Sequence, residues 1–273
     1  MFAIIYTTKM NHNLLRVSSD FKQSNSNSNS DFLVAYNNNP ALEHVVRVVM
    51  KQADIPNVFY NINETGFNFT NTGNNILTIT NDAAIQSTAI IPIGQYTLSE
   101  LITEINEFLA DVAFTNGIVT IAQNPITKKL EFTTSVPAYK FSIDQCTILS
   151  YLGFAAPSVY QYNAILVADS FSNLSGVTEV YLTSQKISDS SNMIVRASTV
   201  YPVILIVPMT VDFGEIEHYL SPHDELDDIV YPSSEGNSIR QVDLQLRDKF
   251  SNILDVGTLS LNLIVKVYHG EHS

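Results

Sequence analysis

"RQVDLQLRD" at residues 240–248 and "TLSLNLIVKV" at residues 258–267 decide the fold class. In the first, Val242, Leu244 and Leu246 alternate with Asp243, Gln245 and Arg247. In the second, Leu259, Leu261, Leu263, Val265 and Val267 recur at every other position. A period of two sends alternate side chains to opposite faces, so both segments read as strands with one buried face. A polar turn near residues 248–257 would join them as an antiparallel pair.

The same pattern spreads outward from this end. "VTEVYLT" (177–183) reads as a strand, and "STVYPVILIVPM" (198–209), continuously apolar, as a strand buried on both faces. Further back, "VVRVVM" (45–50) alternates weakly, with Val46, Val48 and Met50 on one face. "PNVFYNI" (56–62) is an aromatic, β-branched run whose proline sits at its start, where a strand tolerates it. "NILTIT" (75–80) sets Leu77 and Ile79 against Thr78 and Thr80. Many strands with long connections point to a β-sandwich of Greek-key or jelly-roll type.

One segment has a different period. From Leu98, the apolar positions are Leu98, Leu101, Ile102, Ile105, Phe108, Leu109 and Val112, a one-sided helical stripe. Thr97 and Glu100 form a capping box at its start. After an Asn116-Gly117 turn, "IVTIA" (118–122) and "KLEFTT" (129–134) read as a hairpin, followed by "FSI" (141–143) and "YLGF" (151–154). The expected architecture is therefore mainly β: a single jelly-roll sandwich (31–84 and 166–273) with an inserted small α+β domain (85–165). Residues 1–30, with the Ser/Asn run "SSDFKQSNSNSNSD" (18–31), read as a flexible N-terminal arm. Its cations Lys9, Arg16 and Lys22 are candidate interface residues on a neighbouring subunit.

Composition removes several function classes. The 273 residues carry 27 acids against 14 Lys and Arg, a net charge of −13, which argues against a phosphate-neutralising nucleic-acid binder. Cys146 is the only cysteine, so no intrachain disulfide or multi-cysteine zinc site can form. The densest apolar run, "YPVILIVPM" (201–209), is too short to span a bilayer, and "MFAIIY" (1–6) does not read as a signal peptide. No Gly-x-Ser-x-Gly elbow, Walker loop or Gly-x-Gly-x-x-Gly is present. His12, His44, His218, His223, His269 and His272 form no His-x-His or His-x-x-x-His pair. No catalytic residue and no cofactor is expected.

One cluster stands out. Eight acids and no Lys or Arg lie between Asp212 and Glu235. Within "HDELDD" (223–228), Asp224, Glu225, Asp227 and Asp228 are hard oxygen donors that could hold a cation, but they lack the spacing and glycine of an EF-hand loop. The other readings are a solvated connection between two strands, or an acidic edge that meets a basic surface on a partner chain.

The order of motifs resembles a known family. "QADIPNVFYNINE" (52–64), "IPIGQYTLSELITEIN" (91–106) and "LGF" (152–154) resemble segments of the penton, or minor capsid, proteins of virophages and Polinton-like elements in the double-jelly-roll DNA virus lineage. "VTEVYLTSQKIS" (177–188), "VILIVPM" (203–209) and "IRQVDLQLRDKFSNILDVGTLSLNLIV" (239–265) resemble the second half of that pattern. The resemblance implies a virion structural protein and not an enzyme: a homopentamer at the five-fold vertices of an icosahedral capsid, touching major capsid protein trimers. It implies synthesis in the host cytoplasm or a viral factory, and an insertion that could meet a host-surface receptor. Alternatives are a carbohydrate- or receptor-binding module carried by the insertion, a metal-assisted hydrolase using the 212–228 acids, and a non-vertex minor capsid cement protein.

Overall fold

The structure, a computed structural model, describes residues 5–7, 12–23, 26, 28–29, 31–35, 42–63, 73–81, 86–111, 118–136, 141–143, 147–155, 165–187, 193–196, 199–221, 228–230 and 237–269. Its first strands are Ile5–Thr7 (β1), His12–Ser18 (β2), Asp31–Ala35 (β3) and Leu42–Pro56 (β4). Next come Ile76–Asn81 (β5), Gln86–Ile90 (β6), helix Leu98–Asp111 (α1), Val119–Gln123 (β7) and Leu130–Thr134 (β8). Phe141–Ile143 (β9), the short helix Leu149–Leu152 (α2) and Ile165–Val167 (β10) follow. The last third holds Glu179–Thr183 (β11), Met193–Arg196 (β12), Thr199–Pro208 (β13) and Ile216–Leu220 (β14). It ends with Asp228–Val230 (β15), Asn237–Ile239 (β16), Gln241–Arg247 (β17) and Asn262–His269 (β18). The chain divides into two units, Met1–Phe59 with Val177–Ser273, and Tyr60–Gly176.

The first unit contains two antiparallel sheets. One has the order β1-β2-β18-β4-β14, with β15 and β16 also paired to β4; the other has the order β12-β13-β11-β17-β3. Taken along the chain, β2, β3, β4, β11, β13, the β14–β16 series, β17 and β18 occupy the eight positions of a jelly roll. Alternation supplies one apolar face to each sheet. Leu15 and Val17 on β2, Ala53 and Ile55 on β4, and Leu263, Val265 and Val267 on β18 are buried. Phe32 and Val34 on β3, Val180 and Leu182 on β11, and Val242, Leu244 and Leu246 on β17 form the matching set. Each such side chain contributes roughly 1.5–3 kcal/mol when removed from water, which is what holds a two-sheet sandwich closed.

Several expectations are corrected. Strands β17 and β18 are not an antiparallel pair: β17 pairs with β3 and β11, whereas β18 pairs with β2 and β4. Their connection crosses between sheets. Residues 12–18 are not a flexible arm but strand β2, lying between β1 and β18. Inward-facing Leu15 and Val17 anchor it, and Ser19 continues the contact by donating its amide to the Leu261 carbonyl at 3.0 Å. The described part of the Ser/Asn run is bound as well. The Gln23 amide reaches the Leu33 carbonyl at 2.8 Å, and the Leu33 amide donates to Ser26 Oγ at 2.9 Å. Residues 57–62 are not a strand; β4 instead runs through to Pro56. On β13, Ile206 is exposed, so only one face is fully covered there, and Arg247 at the end of β17 is buried.

The second unit has its own core. Two three-stranded sheets, β6-β5-β9 and β10-β8-β7, bury Leu77, Ile79, Phe132 and Phe141. Helix α1 adds Leu101, Ile105 and Leu109. Phe132 is the hub, with ring centroids 5.6 Å from Phe154 and 6.4 Å from Phe141. The capping box forms: Glu100 Oε2 accepts the Thr97 amide at 2.8 Å, and Thr97 Oγ1 accepts the Glu100 amide at 3.3 Å. The 119–134 hairpin also forms, its turn held by Asn124 Oδ1 accepting from the Ile126 and Thr127 amides. Strands β5 and β6 belong to this unit, so the interruption of the sandwich begins earlier than residue 85.

Asparagine side chains replace backbone pairing where the second unit starts. Asn61, almost fully buried, donates to the Tyr96 carbonyl at 2.7 Å and the Leu174 carbonyl at 3.0 Å, and accepts the Tyr96 amide at 2.9 Å. Asn74 donates to the Asn61 carbonyl and accepts the Asn63 amide. Asn61→Leu would leave these backbone groups unpaired, and we expect a loss of about 2–4 kcal/mol in urea unfolding. A loss under about 0.5 kcal/mol would show that water takes over the role.

Gly153, in the Leu-Gly-Phe motif, has φ +90° and lies so close to the chain at Ser170 that a Cβ would sit 2.4 Å from that carbonyl oxygen. Gly214 has the same φ with open space around it. Gly214→Ala should therefore cost only the left-handed strain, about 1–2 kcal/mol. Gly153→Ala should cost about 1–3 kcal/mol more, from overpacking. Equal costs in parallel urea titrations would refute the close approach.

Candidate functional site

Polar residues gather at three places in the jelly-roll unit. The first is a row across the outer face of the β4 sheet. His218 Nδ1 lies 2.9 Å from Asp54 Oδ1, which also accepts Gln52 Nε2 at 3.0 Å. Register places Asn262 beside Asp54, and Arg16 Nη2 reaches Asn262 Oδ1 at 3.4 Å. Leu14 and Ile264 complete a shallow groove with these residues. Asp54 is held by two partners, so this row clasps β14 to β4 across the sheet.

The second place is the turn between β13 and β14. Glu217, nearly buried, accepts the Thr210 amide at 2.6 Å and the Thr210 hydroxyl at 2.9 Å. The Gly214 amide donates to the Asn57 carbonyl at 2.7 Å, and Asn57 Nδ2 donates to the Val211 carbonyl at 2.8 Å. These bonds fix a turn that leaves Asp212, Phe213, Glu215 and Ile216 at the surface.

The third is the β17–β18 connection. Asp248 accepts the Phe250 and Asn252 amides, each at 2.8 Å, and Asn252 Nδ2 at 2.7 Å. Arg247 Nη1 donates to the Ser251 carbonyl at 2.7 Å. A carboxylate and a guanidinium buried this deeply require such bonding; Asp248 shapes the loop, and Arg247 joins it to β17, where Nη2 donates to Gln245 Oε1 at 2.6 Å. A similar closure ends β11, where Asp243 accepts Ser184 Oγ at 2.7 Å and the Lys186 amide at 2.9 Å.

The residues singled out in the sequence are not brought together. Lys9, Asp224, Glu225, Asp227 and Cys146 lie outside the described residues. Asp228 begins β15, whose backbone pairs with β4 opposite Val49, so part of the acidic stretch is an edge strand and not a loop. Arg16 is exposed on β2, and Lys22 is exposed and donates to Asn29 Oδ1. Among the described residues, no three His, Cys, Asp or Glu side chains are placed to hold a metal ion. Among them, too, no helix is long and apolar enough to cross a membrane. The β17–β18 loop and the β13–β14 turn were missed. The signal available was an aromatic stranded between polar residues, Phe250 within "RDKFSN" and Phe213 within "VDFGE".

Titration is shifted around the start of α1. Burial raises the Tyr96 phenol, and Glu104 and Glu100 push it further. The Thr97 backbone amide, then its hydroxyl, hold Glu100 below the usual glutamate range. Both shifts belong to a helix cap.

The strand order thus defines a single jelly roll interrupted between its third and fourth strands in chain order by a second unit. No protein-family model matches the chain, and no curated protein matches it. Among solved structures, a crystal structure of selenomethionine-labelled mavirus penton protein is similar, at 10% identity and a TM-score of 0.49, over 94% of this chain and 99% of that one.

A cation site in the acidic stretch would couple binding to folding. We expect millimolar Ca²⁺ or Mg²⁺ to leave the melting temperature of the protein unchanged, because a ligand bound only by the folded state must raise it. A concentration-dependent rise would revive the cation reading.

Proposed function

We propose that this protein is a structural capsid subunit: the penton, five copies of which fill a five-fold vertex of an icosahedral shell. The observation that carries this reading is a jelly roll whose inside is filled. Jelly rolls serve as ligand-binding domains as well as shell proteins. One ligand-binding version encloses a cavity with convergent polar groups between its sheets. Here the inner faces of both sheets carry aliphatic side chains such as Val17, Val265, Leu182 and Leu244, each nearly or fully buried. The polar clusters outside are engaged in closing loops or in bonds between neighbouring strands. Loop tips are left for contact with other subunits. The segment-order resemblance to penton proteins supports the same reading.

A ring of five excludes isologous contacts, because a two-fold contact closes on itself at two copies. The interface is heterologous, one side of the sandwich against the other side of the next copy. Neighbouring major capsid trimers would bound the ring, in a virion assembled from subunits made in the host cytoplasm or a viral factory. The 60–176 unit would project outward, where exposed Ile165, Val167 and Phe171 are available to a host-surface receptor. This reading involves no bond chemistry.

The purified protein should have five times the 30.3 kDa mass of the chain in mass photometry or sedimentation. A trimer, or a strict monomer at high concentration, would overturn the penton assignment.

A further inference from the structure

The geometry points to Lys249 and Phe250 as a knob by which one copy of this chain grips the 212–216 turn of the next copy in the ring. This rests on the ring reading above and names the residues that would make the contact.

Phe250 is 65% exposed, yet it does not sit on a loose loop. Asp248, with Asn252 and Arg247, fixes the backbone on both sides of it through the bonds already described, and Arg247, Asp248, Ser251 and Asn252 are all nearly buried. Ser251 is held at φ +64°, a conformation that costs a non-glycine residue about 1–2 kcal/mol. Lys249 lies over the ring, its Nζ 5.2 Å from the centroid. The fold thus fixes the backbone that carries an aromatic ring and its cation out into water. A preordered aromatic anchor loses little entropy on docking, which is the character of an interface hot spot.

Topology says what such a knob would meet. The β17–β18 loop is at the end of the sandwich where β2 finishes and β18 begins, tied there by the Ser19 amide to the Leu261 carbonyl and by Asn29 Nδ2 to the Leu259 carbonyl. The β13–β14 turn is at the same end, since Ile216 pairs with Pro56 at the close of β4 and Asn262 pairs with Asp54. The two lie on either side of a central strand: β18 and β14 flank β4 in one sheet, and β17 and β13 flank β11 in the other. Rotation about a ring axis running along the end-to-end direction keeps ends level and sets one side against the other. It therefore brings the knob of one copy to the turn of its neighbour.

The chemistry matches. The turn exposes Phe213 (37%) and Ile216 (47%) between the exposed carboxylates Asp212 and Glu215, with no cation in the segment. A cation-capped aromatic fits an apolar patch flanked by acids. A second copy of this chain is thus the partner that the charge and the symmetry both select.

The test is a charge exchange in the full-length protein, read as the mass distribution over a dilution series. Circular dichroism melts would confirm that each variant folds, as expected for exposed positions. Phe250→Ala should weaken association between copies by roughly tenfold or more. Lys249→Glu, and Asp212→Lys with Glu215→Lys, should each shift the ring toward monomer, and combining all three substitutions should restore it. If the wild type forms a ring and Phe250→Ala leaves association unchanged, the contact is refuted while the penton reading stands. Failure of the combined variant to regain association, with both charge variants weakened, refutes the direct pairing in the same way. A wild type that is monomeric at every concentration refutes the ring and the contact together.

Discussion

The sandwich depends on keeping one long strand in phase. Strand β4 has 15 residues and pairs along its whole length, with β18 on one side and β14, β15 and β16 in series on the other. A strict period of two, on a sheet that twists, would not hold a single inward set over that distance. The pairing with β18 skips a residue twice: Lys51 falls between Gln52 and Met50, and Val46 between Arg47 and Val45. Each bulge resets the parity, so Ile55 and Ala53, then Met50 and Val48, then Val45 are all buried. Without the first shift, Lys51 and Arg47 would fall into the inward set in place of Met50 and Val48. The sheet would then lose the apolar face on which the other sheet rests.

The second recurring device is the asparagine amide, which carries a donor and an acceptor in the spacing of a peptide group. Asn57 ties the end of β4 to the β13–β14 turn, Asn61 joins three segments, and Asn106 on α1 pairs with both the amide and the carbonyl of Ile121 at 2.9 Å. This explains why "PNVFYNI" is not a strand despite its aromatic and β-branched residues. Its backbone groups are met piecemeal: the Asn61 amide by Gln95 Oε1 and its carbonyl by Asn74 Nδ2, whereas Ile62 makes only a single backbone bridge, to Gly94. Strand propensity describes fit to a pleated surface, and here no neighbouring strand provides one.

What the sequence made legible was local. The helix followed from its apolar spacing and its Thr97–Glu100 box, both satisfied within one turn of chain. Alternation in 242–246 and 261–267 correctly named the buried side chains, but Leu259, expected in the same inward set, precedes the strand and is exposed. Alternation identifies a face, however, and not a neighbour. Two consecutive alternating segments look the same whether they form a hairpin or cross between sheets, and β17 and β18 cross. Strand β2 was hidden because only Leu15 and Val17 point inward, beside a run of Ser and Asn that resembles a linker until its hydroxyls are seen closing the edge of β3. The β17–β18 loop was illegible for a related reason. Asp248 acquires its role only when Asn252 and Arg247 fold around it, a three-body arrangement with no periodicity to detect.

The treatment of two sheet edges limits strand addition by any other chain. An open edge offers a row of amides and carbonyls and invites another strand. Strand β3 is the last in its sheet, and its outward groups are taken up locally: Leu33 by Gln23 and Ser26, Asp31 by Ser28. Strand β7 is closed by Asn106 in the same manner. At these edges backbone pairing with a neighbour would first require breaking several hydrogen bonds, each of which must be remade for no net gain. Contact through protruding side chains carries no such cost. Side chains on shaped loops also specify one angle between neighbours, whereas strand addition tolerates sliding by two residues. Along β3 and β7 the structure thus disfavours strand addition, the contact by which sheets grow without limit.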